Sequence, residues 1–243
     1  MAGIIYSFDV EEELHGGGYA RLEESVARIE SICDKSGIKP VLFVTGGCIK
    51  KNASLFKRLL KKGWEISFHG MSHKRFDDMT FSGKEKEIKE GIAIFKRCLG
   101  IKPKGFRAPQ HSIDEETLDL LEKHGFEYDS SFTPLNLLQL FFFPKRWKTW
   151  LKGFFSPLNP YKIRKNLYEL PPSSLVIPFV SLAIRVLPMF MLKPYVWLAK
   201  KCFKKPVFYA HSWDFIKMKE SRIDSFFGHE IFISKLDRIM RTM

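Results

Sequence analysis

Short apolar runs alternate with amphipathic stretches along most of this chain, and that alternation limits the fold more than any other feature. Ile4-Ile5-Tyr6-Ser7-Phe8 reads as a buried strand ending at Asp9. From Arg21 to Lys35, Leu22, Val26, Ile29 and Ile32 recur at helical spacing, with Gly37 just past the end. Val41-Leu42-Phe43-Val44 is a second strand, stopped by Gly46-Gly47. Asn52 is placed to cap a helix that runs through Lys62 and closes at Gly63. Trp64 to Phe68 is the next strand, and Ser82 to Leu99 the next helix. Gly105-Phe106 leads into Arg107-Ala108-Pro109, and Asp114 caps a helix from Glu115 to His124. Phe126-Glu127-Tyr128 leads to Asp129, and Val207-Phe208-Tyr209-Ala210 leads to His211. The stretch from His229 to Met240 is a last amphipathic helix.

Repeated strand–helix units imply a parallel sheet. Six strand runs, with a seventh near Leu175-Val176-Ile177, predict an α/β chain folded as a (β/α) barrel of about seven strands, TIM-barrel-like. At 243 residues the chain fits one domain, 1–243.

The charge is segregated. Between Thr133 and Pro206 there are thirteen lysines and arginines against one acid, Glu169, so this segment carries nearly all of the chain's +13. It also holds Trp147, Trp150, Trp197 and eight phenylalanines. Residues 133–206 therefore read as a basic, aromatic insertion within the barrel. Tryptophan and phenylalanine favour a membrane interface and cations favour anionic lipid, so an anionic membrane surface is an expected partner, exemplified by Leu140 to Trp147. Nucleic acid is not expected, because phosphate-tracking surfaces need far less aliphatic bulk. No run of 18 residues is free of charge or proline, and Pro178, Arg185 and Pro188 interrupt the nearest case, Leu175 to Leu192. The four cysteines are scattered with no CxxC pair, which fits a reducing compartment and argues against a thiolate zinc site. Met1 to Val10 reaches Asp9 too soon for a signal peptide. A cytoplasmic location is expected, peripheral on the cytoplasmic face of the membrane.

Chemistry in such barrels sits at the C-terminal strand ends. Here those ends carry Asp9 and Glu11, His69 and His73, Arg107, Asp129 and His211. Two histidines four apart on a helical turn face the same way and can meet on one divalent metal. Asp9 and Glu11, two apart on an extended strand end, share a face.

In this order, Ser-Phe-Asp9-Val-Glu11, His69-x-x-x-His73, Phe-Arg107-Ala-Pro109, Tyr-Asp129-Ser-Ser and Ala-His211-Ser-Trp213 resemble the polysaccharide deacetylases with a NodB-homology domain, carbohydrate esterase family 4. The resemblance covers residues 1–132 and 207–228. It implies a distorted (β/α) barrel and metal-assisted removal of N-acetyl groups from amino sugars in a polysaccharide or lipid-linked saccharide. By the same resemblance Asp9 is the general base, Glu11 with His69 and His73 holds a divalent ion, zinc foremost, and His211 is the general acid. Arg107 then orients Asp9, and Asp129 steers His211. Val10 stands where the family has its second adjacent acid, and Glu11 fits the Asp-x-Asp variant; Glu12 and Glu13 are the fallbacks, read as a solvated acidic turn.

Other readings follow from the same residues. Two histidines and a carboxylate also suit non-heme iron oxygenases, but those use all-β barrels. A degenerate carbohydrate-binding barrel and a metal-independent C–N hydrolase of the same fold are the further alternatives. His15 lies beside Gly16-Gly17-Gly18 in a flexible loop, and His111 beside the Arg107 loop. His124 and His229 read as helix-end residues, and Trp213 as a pocket wall or a core ring.

Overall fold

The structure is a computed structural model that describes residues 3–12, 18–137, 147–175, 177–217 and 227–242. The chain runs β1 (Ile5–Val10), α1 (Leu22–Ser36), β2 (Val41–Val44), α2 (Gly46–Lys51), α3 (Ala53–Lys61), β3 (Glu65–Phe68) and α4 (Phe81–Leu99). It continues through β4 (Gly105–Phe106), α5 (Glu115–Lys123), β5 (Tyr128–Asp129), α6 (Trp147–Phe154), β6 (Tyr161–Lys162) and β7 (Tyr168–Glu169). Last come β8 (Ser174–Leu175), β9 (Ile177–Pro178), α7 (Ser181–Val186), α8 (Met189–Cys202), β10 (Val207–His211) and α9 (His229–Thr242).

Eight strands form one sheet in the order β10-β1-β2-β3-β4-β5-β7-β6. Every neighbour pair is parallel except β6 with β7. The result is a curled, open barrel with β10 and β6 at its edges, in line with the α/β barrel expected. The seventh-strand expectation is corrected. Ser174–Leu175 and Ile177–Pro178 form a separate antiparallel hairpin, and Val176 lies outside the described residues. The sheet is extended instead by Tyr168–Glu169, which the basic segment 133–206 contributes beside β5.

Local chemistry sets most element ends. Thr45 accepts from the Cys48 amide and starts α2 at once, where the Gly46-Gly47 pair read only as a stop. Asp114 accepts from the Thr117 amide and caps α5 as its sequence foretold. Asn52 makes no such bond; its side chain turns back toward the Cys48 carbonyl.

Strand alternation divides the sheet into two faces. Phe8, Phe68, Phe106 and Phe208 point outward to the helices: Phe8 packs edge-on against Phe215 at 5.5 Å, and Phe68 against Phe95 of α4 at 5.9 Å. These rings are fully buried. The inner face carries Ser7, Asp9 and Glu11 from β1, Phe43 from β2, Ser67 and His69 at β3, Arg107 after β4, Ser130 after β5, and Tyr209 and His211 from β10. Apolar residues therefore fill the layer under the helices, and polar ones fill the mouth of the barrel.

Candidate active site

Arg107 is the hub of the inner face. It is fully buried. Its Nη1 donates to Asp9 Oδ1 at 2.7 Å and its Nη2 to Ser7 Oγ at 3.1 Å. Its Nε donates to the Ser130 carbonyl at 3.0 Å and Nη2 also to Ser130 Oγ at 2.9 Å. The guanidinium lies 4.1 Å from the Phe43 ring centroid and 5.2 Å from that of Tyr209. Four strands meet on one planar fork, a geometry lysine cannot reproduce.

Asp9 is buried, 2% exposed. Burial pushes its carboxyl upward, but Arg107 foremost, with His69, His211 and His111, holds it below the usual range. Asp9 therefore stays ionised. Its register partner across the sheet is His211, so base and acid candidates stand side by side.

Glu11, His69 and His73 come together. One ligand atom from each lies within 4.8 Å of the others. Glu11 Oε2 touches His73 Nε2 and is 3.4 Å from His69 Nε2. The four-residue spacing does not act through a helical turn, as expected from sequence. Residues 69–73 are irregular, with Gly70 at φ 77° and His73 at φ 56°. A Cβ at Gly70 would sit 3.0 Å from Pro109, so the bend needs glycine twice over. Backbone amides of Gly46 and Gly47 hold the bend by donating to Gly70 and Met71 carbonyls.

The donor set fits a divalent cation. His69 Nδ1 lies 2.8 Å from the Arg107 carbonyl, which can only accept, so Nδ1 carries the proton and Nε2 presents its lone pair. Glu11 Oε2 is buried with no hydrogen-bond donor among the described residues. A desolvated carboxylate oxygen facing two imidazole nitrogens is a ligand set of the kind zinc takes. Burial raises the Glu11 carboxyl, yet the imidazoles of His69 and His73 facing it, with His211, hold it well below the usual range.

His211 rests on a partner the sequence did not flag. Asp214 Oδ2 accepts from the His211 amide at 2.9 Å and lies 3.7 Å from its Nδ1. Burial lowers the imidazole, but Asp214 first, then Glu11 and Asp9, raises it to about 9. Arg185 of α7 donates to the Asp214 carbonyl at 2.8 Å, so the basic segment 133–206 reaches this site from behind. The only sequence signal for Asp214 was its place three residues after His211, at the first turn of a helix-like bend. Trp213 was also underread. Its Nε1 donates to Glu11 Oε1 at 3.0 Å, and its ring stacks on His211 with centroids 4.3 Å apart.

Asp129 does not support His211, which corrects the expectation carried by resemblance. Ser130 is on the inner face with Arg107, so Asp129 falls on the outer one. There it accepts from Ser131 Oγ at 2.7 Å and hydrogen-bonds Glu169, its register partner on β7. Glu169 Oε1 accepts from the Phe132 amide, while Oε2 has no ordinary donor among the described residues. Two fully buried carboxyls this close share a proton. Burial, then Asp129, pushes Glu169 well above the usual range, and burial raises Asp129. The folded state thus holds a proton that the unfolded chain releases. This penalty is absent below the ordinary carboxylate range and grows as pH rises through and above it. Glu169→Gln supplies an amide donor in place of that proton. The expected result is little change in Tm at pH 4.5 and a gain on the order of 2–4 °C at pH 9, about 1 kcal/mol in a chain of this size. An equal shift at both pH values refutes the shared proton.

His111 donates from Nδ1 to the Ser131 carbonyl at 2.9 Å and meets the Tyr209 ring at 5.2 Å. Burial and then Arg107 lower it to about 4, so it is neutral beside the site. His124 and His229 stand near Glu85 and Glu230, away from these groups. Glu12 is exposed and accepts from Tyr19; His15 and Glu13 lie outside the described residues.

The polysaccharide deacetylase family profile matches residues 6–128. The chain is 30% identical over 161 residues to the peptidoglycan deacetylase-like protein FGM2 of Gibberella zeae, covering 60% of this chain and 45% of that protein. It is 29% identical over 142 residues to the peptidoglycan deacetylase of Helicobacter pylori, covering 55% and 48%. The chain thus spans about half the length of these curated relatives. A Mycobacterium smegmatis structure described as a polysaccharide deacetylase superposes with a TM-score of 0.67 at 17% identity, over 98% of this chain and 84% of that one. With half of its length inside the family profile, the chain belongs to the polysaccharide deacetylase family.

Proposed function

We propose that the chain is a metal-dependent hydrolase that removes an N-acetyl or other N-acyl group from an amino sugar in a polysaccharide or lipid-linked saccharide. The observation that carries this reading is the buried Glu11 oxygen, without a hydrogen-bond donor among the described residues, facing the Nε2 atoms of His69 and His73. A divalent cation held there, zinc foremost, supplies a Lewis acid for water and the amide carbonyl. Asp9 takes a proton from the attacking water, and Arg107 keeps Asp9 ionised and aimed. His211 gives a proton to the amide nitrogen as the C–N bond breaks, leaving acetate and a free amine. Asp214 keeps that histidine charged until it is needed. The names of the curated relatives make peptidoglycan the first polymer to assay.

The test combines metal analysis with acetate release from N-acetylglucosamine oligomers and peptidoglycan. One divalent ion per chain is expected, with activity lost on chelation and restored by zinc. His69→Ala should retain no stoichiometric metal. Full activity after exhaustive chelation would leave a metal-independent amide hydrolase, and bound metal without acetate release from either substrate would leave a carbohydrate-binding barrel.

A further inference from the structure

Helix α8 is apolar on two sides. Leu192, Val196 and Ala199 face the core and are buried. The opposite side is also apolar: Phe190 is 76% exposed, Trp197 54%, Met191 45% and Leu198 43%. Ile177 of β9, whose carbonyl accepts from Tyr195 of α8, is also exposed beside this helix. A helix apolar all round is normally covered on every side, by protein or by lipid. Here the described residues cover only one side.

The charge around the patch has one sign. From Leu170 to Trp213 the chain contains no acid. Lys193, Lys201, Lys204 and Lys205 are exposed beside it, and among the described residues none is paired with a carboxylate. Lys201 Nζ lies 5.6 Å from the Trp197 ring. A second copy of the chain is a poor cover, because two-fold pairing of this face sets lysines against lysines. A surface that is apolar below and anionic at its rim is complementary. With 14 residues, α8 is about 21 Å long, too short to cross a bilayer core of about 30 Å. Among the described residues no helix is long and apolar enough to span.

We propose that the outer face of α8 docks on an anionic phospholipid bilayer and lies in the plane of the interface. Phe190, Met191, Trp197 and Leu198 enter the boundary between headgroups and acyl chains, and the lysines meet the phosphates. This narrows the expected membrane contact of residues 133–206 to one helix. Trp147 is half-exposed on α6, a different helix, and residues 140–146 lie outside the described ones.

The experiment uses the purified full chain and sedimented vesicles of phosphatidylcholine, with or without phosphatidylglycerol. The chain should bind only the vesicles that contain phosphatidylglycerol, and binding should fall as salt rises. Phe190→Ser with Trp197→Ser should weaken the partition coefficient at least about tenfold, and Lys201→Glu with Lys204→Glu should do the same. Both changes are at exposed positions, and thermal melts check that the fold is kept. Lys57→Glu with Lys61→Glu, exposed on α3, should leave binding unchanged. Equal loss in that control reduces the effect to net charge and overturns the proposal. So does wild-type binding by the serine variant. A dimer in sedimentation velocity that the serine variant dissociates, with no vesicle binding, assigns the face to self-association instead.

Discussion

Asp9→Asn is expected to lower kcat for acetate release by about 10²–10⁴-fold, the range lost with a positioned base, while metal content stays at the wild-type level. Asparagine keeps the shape and can still accept the 2.7 Å bond from Arg107, so the site is perturbed in basicity more than in geometry. KM should move little, since the change removes a proton acceptor and not a substrate contact. The wild-type pH profile should be bell-shaped. Asp9, held low by Arg107 once burial is overcome, sets the acid limb, and His211, raised by Asp214 against burial, sets the alkaline limb. His211→Ala should lose a similar factor and the alkaline limb with it. If Asp9→Asn releases the metal while Glu11→Gln retains it, the two carboxylates have exchanged roles.

The second large effect is on stability. Arg107→Met removes the guanidinium from a buried cluster of Asp9, Ser7 and Ser130 and leaves the Asp9 charge without that partner. Breaking a buried pair from one side costs about 3–5 kcal/mol. In a chain of this length each kcal/mol shifts Tm by about 2–4 °C, so a fall of roughly 10 °C is expected. Arg107→Lys keeps a charge but loses the fork: one ammonium cannot reach Asp9, Ser7 and both Ser130 oxygens. It should melt between wild type and Arg107→Met, and its kcat should fall with them because Asp9 is no longer aimed. Wild-type kcat in a folded Arg107→Lys would make the arginine purely structural.

The fold was legible where short-range chemistry decides it. The strand runs of β1, β2 and β3 and the Asp114 cap of α5 are local patterns, and they lie where alternation and capping placed them. The site was partly legible for the same reason. Strand period two puts Ser7, Asp9 and Glu11 on one face whatever the rest of the chain does. The misreadings come from long range. Leu175–Ile177 has strand composition, but the place beside β5 is taken by the segment whose hydrogen bonds fit. Tyr168–Glu169 fits beside β5 and brings a carboxyl onto Asp129.

From its sequence alone this protein has parallel strand–helix units, ionisable residues at the strand ends, and family membership through motifs in order. Their order and spacing are properties of the chain. Only the tertiary structure chose among chemically equal candidates. Asp129 and Asp214 are both aspartates near a strand end. Sheet parity turns the first outward to Glu169, and a single bend brings the second to His211. The same holds for the histidines. A left-handed Gly70 and His73, held by amides of Gly46 and Gly47, bring both rings to Glu11 without a helical turn. Backbone conformations of that kind are stabilised by neighbours distant in sequence, so no local pattern encodes them.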